Sequence, residues 1–350
     1  MKESPAVGGR LQIAVAGAGL IGRKHIDIAF GHGILDAIID PDARDLAERY
    51  GCLWYQAVED YLEAHKPDGM IIATPNQLHV EHGLACIRRE VPVLIEKPIA
   101  DVPGAAAALV REAQRANTPI LVGHHRRHNP IIKTAKAAID ADEIGRIVSV
   151  HAQFWLYKPD EYFNAAWRRS KGAGPVFINL IHDIDLLRHL CGEIARVQAV
   201  ESNRVRGHDV EDSAVVILEF ENGALGTVSV SDTVPAPWSW ELTAAENAAY
   251  PKAHAYCYMI GGQRGALSIP DLRLWSYSGD PSWWEPIECQ ILPAEEADPL
   301  RVQFEHFLDV VERKVSPLVS GEEGLKSLHV IDAIKAAAAT GVAQHLDHHG

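Results

Sequence analysis

Cysteine is scarce in this sequence and long apolar runs are missing. Five cysteines among 350 residues (Cys52, Cys86, Cys191, Cys257 and Cys289) are scattered with no CxxC pair. That spacing excludes a disulfide framework and a structural zinc ribbon. No apolar run reaches the roughly 18 residues that cross a bilayer. The opening MKESPAVGGR has no apolar core of a secretory signal. The expectation is a cytoplasmic protein with no membrane partner. Basic residues are outnumbered, 33 Lys and Arg against 47 Asp and Glu, for a net charge of −14. Long-range repulsion of phosphates then argues against nucleic acid as a partner. Repeats, low-complexity linkers and charge blocks are absent as well, so the domains are expected to be joined directly.

What remains is an ordinary globular composition, 47% hydrophobic and 23% charged. The length suggests two domains at roughly 150 residues each. Up to residue 123, short apolar runs at 11–16, 35–39, 69–73, 91–95 and 120–122 alternate with helical stretches such as 20–30 and 103–116. That order predicts parallel βαβ units, an α/β Rossmann domain with a doubly wound parallel sheet over 1–123. Beyond it the pattern changes. Helices at 130–140 and 176–191 precede strand-like stretches at 147–157, 197–205, 213–220, 224–231, 238–245, 255–260 and 265–269. Asn222-Gly223 marks a hairpin. Helices at 298–314 and 321–340 close the chain. Residues 124–350 therefore read as an α+β domain with a large open, mainly antiparallel sheet, for substrate binding and oligomerisation.

Gly17-Ala18-Gly19-Leu20-Ile21-Gly22 follows a predicted strand and opens a predicted helix, which makes it a dinucleotide fingerprint. Gly17 serves the tight turn, Gly19 the approach of the pyrophosphate, and Gly22 the packing of helix on strand. Free N–H groups at the helix start, from Leu20 and Ile21 onward, attract the phosphates. Asp40 ends the second strand, where a carboxylate binds the ribose hydroxyls and repels a 2′-phosphate. The cofactor reading is NAD rather than NADP, although Arg44 leaves some room for NADP. Asp40 also reads as a helix N-cap before Pro41.

Ligands bind at the carboxyl ends of strands in such sheets. Thr74-Pro75-Asn76 and Glu96-Lys97-Pro98 fall at two of them. Lys97, beside a low-dielectric cleft, can titrate in a useful range; it reads equally as a surface lysine. Asn179, His182 and Asp185 are spaced to share one side of the helix at 176–191. His182 is the general-base candidate, against the plainer reading of a structural histidine bonded to Asp185. The run His124–His128 lacks a carboxylate cluster and reads as a domain crossover, not a metal site, with alternate side chains such as Arg126 reaching the cleft. No metal is expected. Trp238, Trp240, Trp275, Trp283 and Trp284 read as core or interface.

Together these motifs resemble the Gfo/Idh/MocA oxidoreductase family, which includes glucose-fructose oxidoreductase and inositol dehydrogenases. The resemblance rests on AGAGLIG at 16–22, ATPNQLH at 73–79, EKP at 96–98, Trp167-Arg168 and IHDIDLL at 181–187. It implies a Rossmann domain with an open antiparallel sheet, NAD(P), and dimers or tetramers formed through that sheet. It further implies that Lys97 contacts the reacting oxygen, that the Lys-Pro peptide is often cis, and that Asn76, His79 and Glu96 position the nicotinamide ribose. Asn179, Arg126, Trp167 and Arg168 are the candidate substrate contacts. One departure stands out: many sugar and inositol dehydrogenases of the family carry Asp four residues before the helix histidine, and here that residue is Ile178. The expected activity is NAD-dependent oxidation of a secondary hydroxyl on a sugar, cyclitol or related polyol, with Lys97 and His182 as acid/base groups. Alternatives within the fold are an enzyme that uses bound NAD transiently in glycoside cleavage and a non-catalytic NAD-binding regulator.

Overall fold

The computed structural model describes residues 10–346. The leader scan of residues 1–9 and the last four residues of the expected second domain lie outside them. The chain divides into two compact units. The first runs to His125 and includes Leu300–Leu325; the second comprises Arg126–Pro299 and the chain from Lys326 onward.

In the first unit, strands β1 (Ile13–Ala16), β2 (Leu35–Ile39), β3 (Leu53–Tyr55), β4 (Gly69–Ile72), β5 (Val93–Ile95) and β6 (Ile120–Val122) alternate with helices. These are α1 (Leu20–Gly31), α2 (Arg44–Tyr50), α3 (Val58–Ala64), α4 (His79–Ile87) and α5 (Pro103–Arg115). All six strands are parallel, in the order β3-β2-β1-β4-β5-β6. That is the doubly wound arrangement expected from the apolar runs, with β1 and β4 at the centre and wholly buried. β3 and α3 are elements the sequence reading passed over, because LWY is too short to show a period.

The second unit holds α6 (Pro130–Asp140), β7 (Ile147–Trp155), α7 (Ile181–Cys191), β8 (Ile194–Ser202), β9 (Ser213–Phe220), β10 (Leu225–Ser231) and α8 (Trp240–Thr243). β11 (Tyr258–Gly262), β12 (Gly265–Ile269), β13 (Arg273–Ser276) and β14 (Glu288–Ile291) follow. With β15 (Gln344–His345) they form a nine-stranded sheet, antiparallel except where β7 lies parallel to β10. The predicted hairpin joins β9 to β10: Gly223 has φ +86° and Asn222 Oδ1 accepts from Ala224 N. One sheet face packs into a core with residues of α6, α7 and the later part of α10 (Gly321–Thr340).

Two expectations are corrected. Residues 238–245 alternate like a strand, but 240–243 form helix α8 instead, because Ser239 caps it by accepting from Leu242 N and Trp240 is buried in the core. Residues 300–325 belong with the first unit, not the second. Phe307 and Val311 of α9 (Pro299–Val311) lie so close to Gly69 of β4 that a Cβ there would meet both, and Val122 N donates to Val319 O. The amphipathic period of 298–314 announces a helix without saying which sheet it covers. Among the described residues, no helix is long and apolar enough to cross a membrane.

Candidate active site

The glycine turn has the shape its three glycines require. Gly17 holds φ +91°, donates to Ile39 O, and a Cβ on it would sit 2.5 Å from Ala73 O. A Cβ on Gly22 would collide with Gly17 O. Gly19, the N-cap of α1, is different: nothing lies within 4 Å of where its Cβ would be, and no side chain caps this helix end. Exposed Leu20 and half-buried Ile21 follow. An open glycine before uncapped N–H groups is what a pyrophosphate needs. The residues fit a dinucleotide.

Asp40 belongs to this turn. Its Oδ2 accepts from Ala18 N at 2.8 Å and its Oδ1 from Asp42 N at 2.9 Å. It does not cap α2, whose N-cap is Ala43. Arg44 pairs with Glu48 and lies over Trp54.

The two loops at the ends of β4 and β5 are tied together from below. His79 is buried and places its ring nitrogens 2.8 Å from Thr74 O and 2.8 Å from Pro98 O. Burial pushes its pKa down, while the two carbonyls pull it up. Pro75 is exposed and Asn76 half-buried in the short turn between them. The Lys97-Pro98 peptide is cis, as the resemblance implied, and Lys97 is half-buried. Glu96 turns inward: Oε1 is 2.8 Å from His25 Nε2, and Oε2 accepts from Lys97 N at 3.2 Å. Burial alone would raise its pKa, but the bond and charge of His25, with His125 and Lys97, hold it below the ordinary carboxylate value. His25 went unnoticed in the sequence. Its only signal is its place three residues after Gly22, on the inward side of α1.

In the second unit, 176–191 is not one regular helix. Val176–Leu180 form a π-helical turn that runs into α7. Such turns recur at functional sites, and face arguments from the 3.6 period do not carry across one. Gly174 makes room for Glu211, whose Oε1 accepts from Val176 N at 3.1 Å. Asn179, in the π turn, accepts at Oδ1 from Lys158 Nζ at 2.8 Å. Lys158 is buried, 3.8 Å from Asp232 and 5.0 Å from the Tyr162 ring centre. Burial pushes its amine pKa down, against the pull of Asp232 and Glu241. Nothing in its sequence context marked Lys158.

His182 is buried in the first turn of α7. The two carboxylates that follow it on the helix have arginine partners. Arg127 grips Asp185 through Nε at 2.8 Å and Nη2 at 2.7 Å, and Ser327 donates to the same carboxylate. Asp183 takes Tyr258 OH and Arg126 Nη1, and burial raises its pKa to about 6. Arg126, expected to reach substrate, is buried, with Nη2 donating to Glu241 at 2.7 Å and Trp240 at its side. Trp167 is exposed; Arg168 lies over Tyr162 and donates to Tyr162 O.

Residues 11–124 match a family model described as an oxidoreductase family with an NAD-binding Rossmann fold, and 132–266 match the Gfo/Idh/MocA C-terminal domain. Inositol 2-dehydrogenase 2 of Saccharopolyspora erythraea is 28% identical over 232 residues, covering 63% of this chain and 66% of that protein. An inositol 2-dehydrogenase of Mycolicibacterium gilvum is 31% identical over 227 residues, covering 61% and 62%. The solved WlbA dehydrogenase of Bordetella pertussis, in complex with NADH and UDP-GlcNAcA, superposes with a TM-score of 0.79 at 23% identity, over 97% of this chain and 99% of that one.

Proposed function

We propose that this chain, which belongs to the Gfo/Idh/MocA oxidoreductase family, is an NAD-dependent dehydrogenase of a sugar, cyclitol or related polyol. The observation that carries the reading is the glycine turn joined to Asp40. Ala18 N holds the carboxylate at the end of the second strand, which supports a role in accepting from ribose hydroxyls and repelling a 2′-phosphate. NAD is therefore favoured over NADP.

When bound, NAD supplies a nicotinamide C4 that accepts hydride from the substrate carbon. His182 takes the proton of the hydroxyl on that carbon, a task suited to imidazole near neutral pH. Lys97 stabilises the negative charge that develops on the oxygen, a contribution of several kcal/mol in a water-poor site. Asn179 orients the substrate, joined by Trp167 and Arg168. His79 and Glu96 hold the Thr74-Pro75-Asn76 and Lys97 loops that place the cofactor. The Saccharopolyspora and Mycolicibacterium relatives, both inositol 2-dehydrogenases, support the polyol class.

The open sheet supports a homodimer or homotetramer of this cytoplasmic enzyme. Val215, Ile217 and Leu225 are exposed on one face of β9 and β10 while their neighbours Ala214, Val216 and Leu218 are buried. Light scattering checks the assembly. The activity is tested by following NADH formation over inositols, monosaccharides, glycosides and dihydrodiols, with NAD and NADP in parallel. Turnover with NAD on one polyol class supports the reading. Stoichiometric bound NADH with no net turnover contradicts it.

A further inference from the structure

The amide of Asn179 can point in only one way. An ammonium group donates and never accepts, so the atom 2.8 Å from Lys158 Nζ is the amide oxygen. The NH2 group is thereby turned away from Lys158, and it makes no hydrogen bond among the described residues. Asn179 presents two donors, while its oxygen is engaged with Lys158 and keeps one lone pair beside that ammonium.

The carboxylates of the surrounding elements do not offset this. Asp232 accepts from Arg206 Nε at 2.8 Å and stands 3.8 Å from Lys158. Glu211 holds Val176 N and Lys335, and Glu241 holds Arg126. Asp183 and Asp185 are taken by Arg126, Tyr258 and Arg127. Position 178, where a carboxylate would accept from a substrate hydroxyl, is isoleucine. A donor amide backed by a buried cation binds hydroxyl and carboxylate oxygens alike but favours the carboxylate, because a charged acceptor roughly doubles the strength of such bonds.

We propose that Lys158 and Asn179 form a donor pair that selects polyol substrates bearing a carboxylate near the carbon to be oxidised, such as uronic or aldonic acids. Asn179 is the specificity residue and Lys158 its positioning residue. The proposal rests on the dehydrogenase reading above for the reaction, and on the amide geometry alone for the choice of substrate.

The test compares hexuronates and aldonates with their methyl esters and with hexoses and alditols, using the full-length protein with NAD. Binding of the same compounds to the NADH-loaded protein is followed in parallel by NADH fluorescence. The free acids are expected to exceed their methyl esters at least tenfold in kcat/KM. Asn179→Asp, which replaces two donors by acceptors, is expected to reverse the order. Lys158→Met is expected to erode the preference mainly through KM; should that variant not fold, Asn179→Asp decides. Esters and neutral sugars used as well as the acids overturn the donor pair and leave the dehydrogenase reading standing. Acids that bind at least tenfold more tightly than their esters but are never oxidised uphold the pair and overturn that reading. No binding of any acid overturns the pair.

Discussion

His25 and Glu96 meet at 2.8 Å with both side chains buried, joining α1 of the glycine turn to the residue that precedes Lys97. One contact thus couples the helix after the glycine turn to the loop carrying Lys97. Removing His25 leaves a buried carboxylate without its partner, a loss of about 3–5 kcal/mol. Glu96 titrates below its ordinary value of 4.5 in the fold, so its stabilisation is present at neutral pH and lost as pH falls through that lower value. His25→Ala should lower stability at pH 7 and move acid unfolding to higher pH, as followed by circular dichroism. An unchanged acid transition would contradict the pairing.

Gly17, Gly19 and Gly22 should respond differently to alanine. Gly17→Ala and Gly22→Ala place a Cβ against backbone and are expected to lower the melting temperature sharply. Gly19→Ala meets no protein atom and is expected to fold within about 1 kcal/mol of wild type. Under the proposed cofactor placement its methyl group would meet the pyrophosphate, so dinucleotide affinity should fall at least tenfold. Calorimetry of each variant with and without NAD separates the two outcomes.

Asp40→Ser removes the carboxylate that Ala18 N anchors. The kcat/KM ratio of NAD to NADP should fall by about tenfold or more, since a repulsion worth more than 1.4 kcal/mol is lifted. A ratio that stays constant would mean that Asp40 only shapes the turn.

Asp183 carries a second pH signature. Its pKa rises from 3.8 to about 6 on folding, chiefly through burial, with Arg126 and Tyr258 opposing and Glu241 adding to the rise. The folded state then holds a proton between about pH 4 and 6 that the unfolded chain has released. This group's contribution to stability therefore declines as pH rises through that window, by on the order of 3 kcal/mol, and is level above it. In denaturant titrations, wild type should gain on Asp183→Asn as pH falls from 7 to 4.5. A difference independent of pH would contradict the assignment.

The first unit was legible because its signals are local. Strands buried on both faces are short apolar runs, and the glycine turn is a contiguous pattern, although the atoms that exclude a side chain at Gly17 belong to Ala73 and Thr74. In the second unit, the strands showed through alternation and through Asn222-Gly223. The π turn at Val176–Leu180 did not, since its residues favour an ordinary helix equally well and Gly174 with Glu211 shapes its start from a distance in sequence. The candidate site was legible where residues sit in short motifs, at Gly17, Asp40, Lys97 and His182. It was hidden where one side chain orients another across the chain: His25 on Glu96, Arg127 on Asp185 and Lys158 on Asn179. Arg126 is a further case. Its hold on Asp183 and Glu241, far apart in sequence, could not be read from the crossover run that carries it.

The central claim is hydride transfer to NAD, with His182 taking the hydroxyl proton and Lys97 stabilising the charge that develops on the oxygen. It is tested most directly by NADH formation on the best polyol substrate, measured by absorbance for wild type, Lys97→Ala and His182→Ala side by side. The account predicts steady turnover by wild type and a fall in kcat of about a hundredfold or more in each variant, with NAD still bound. Near wild-type kcat in both variants would contradict it.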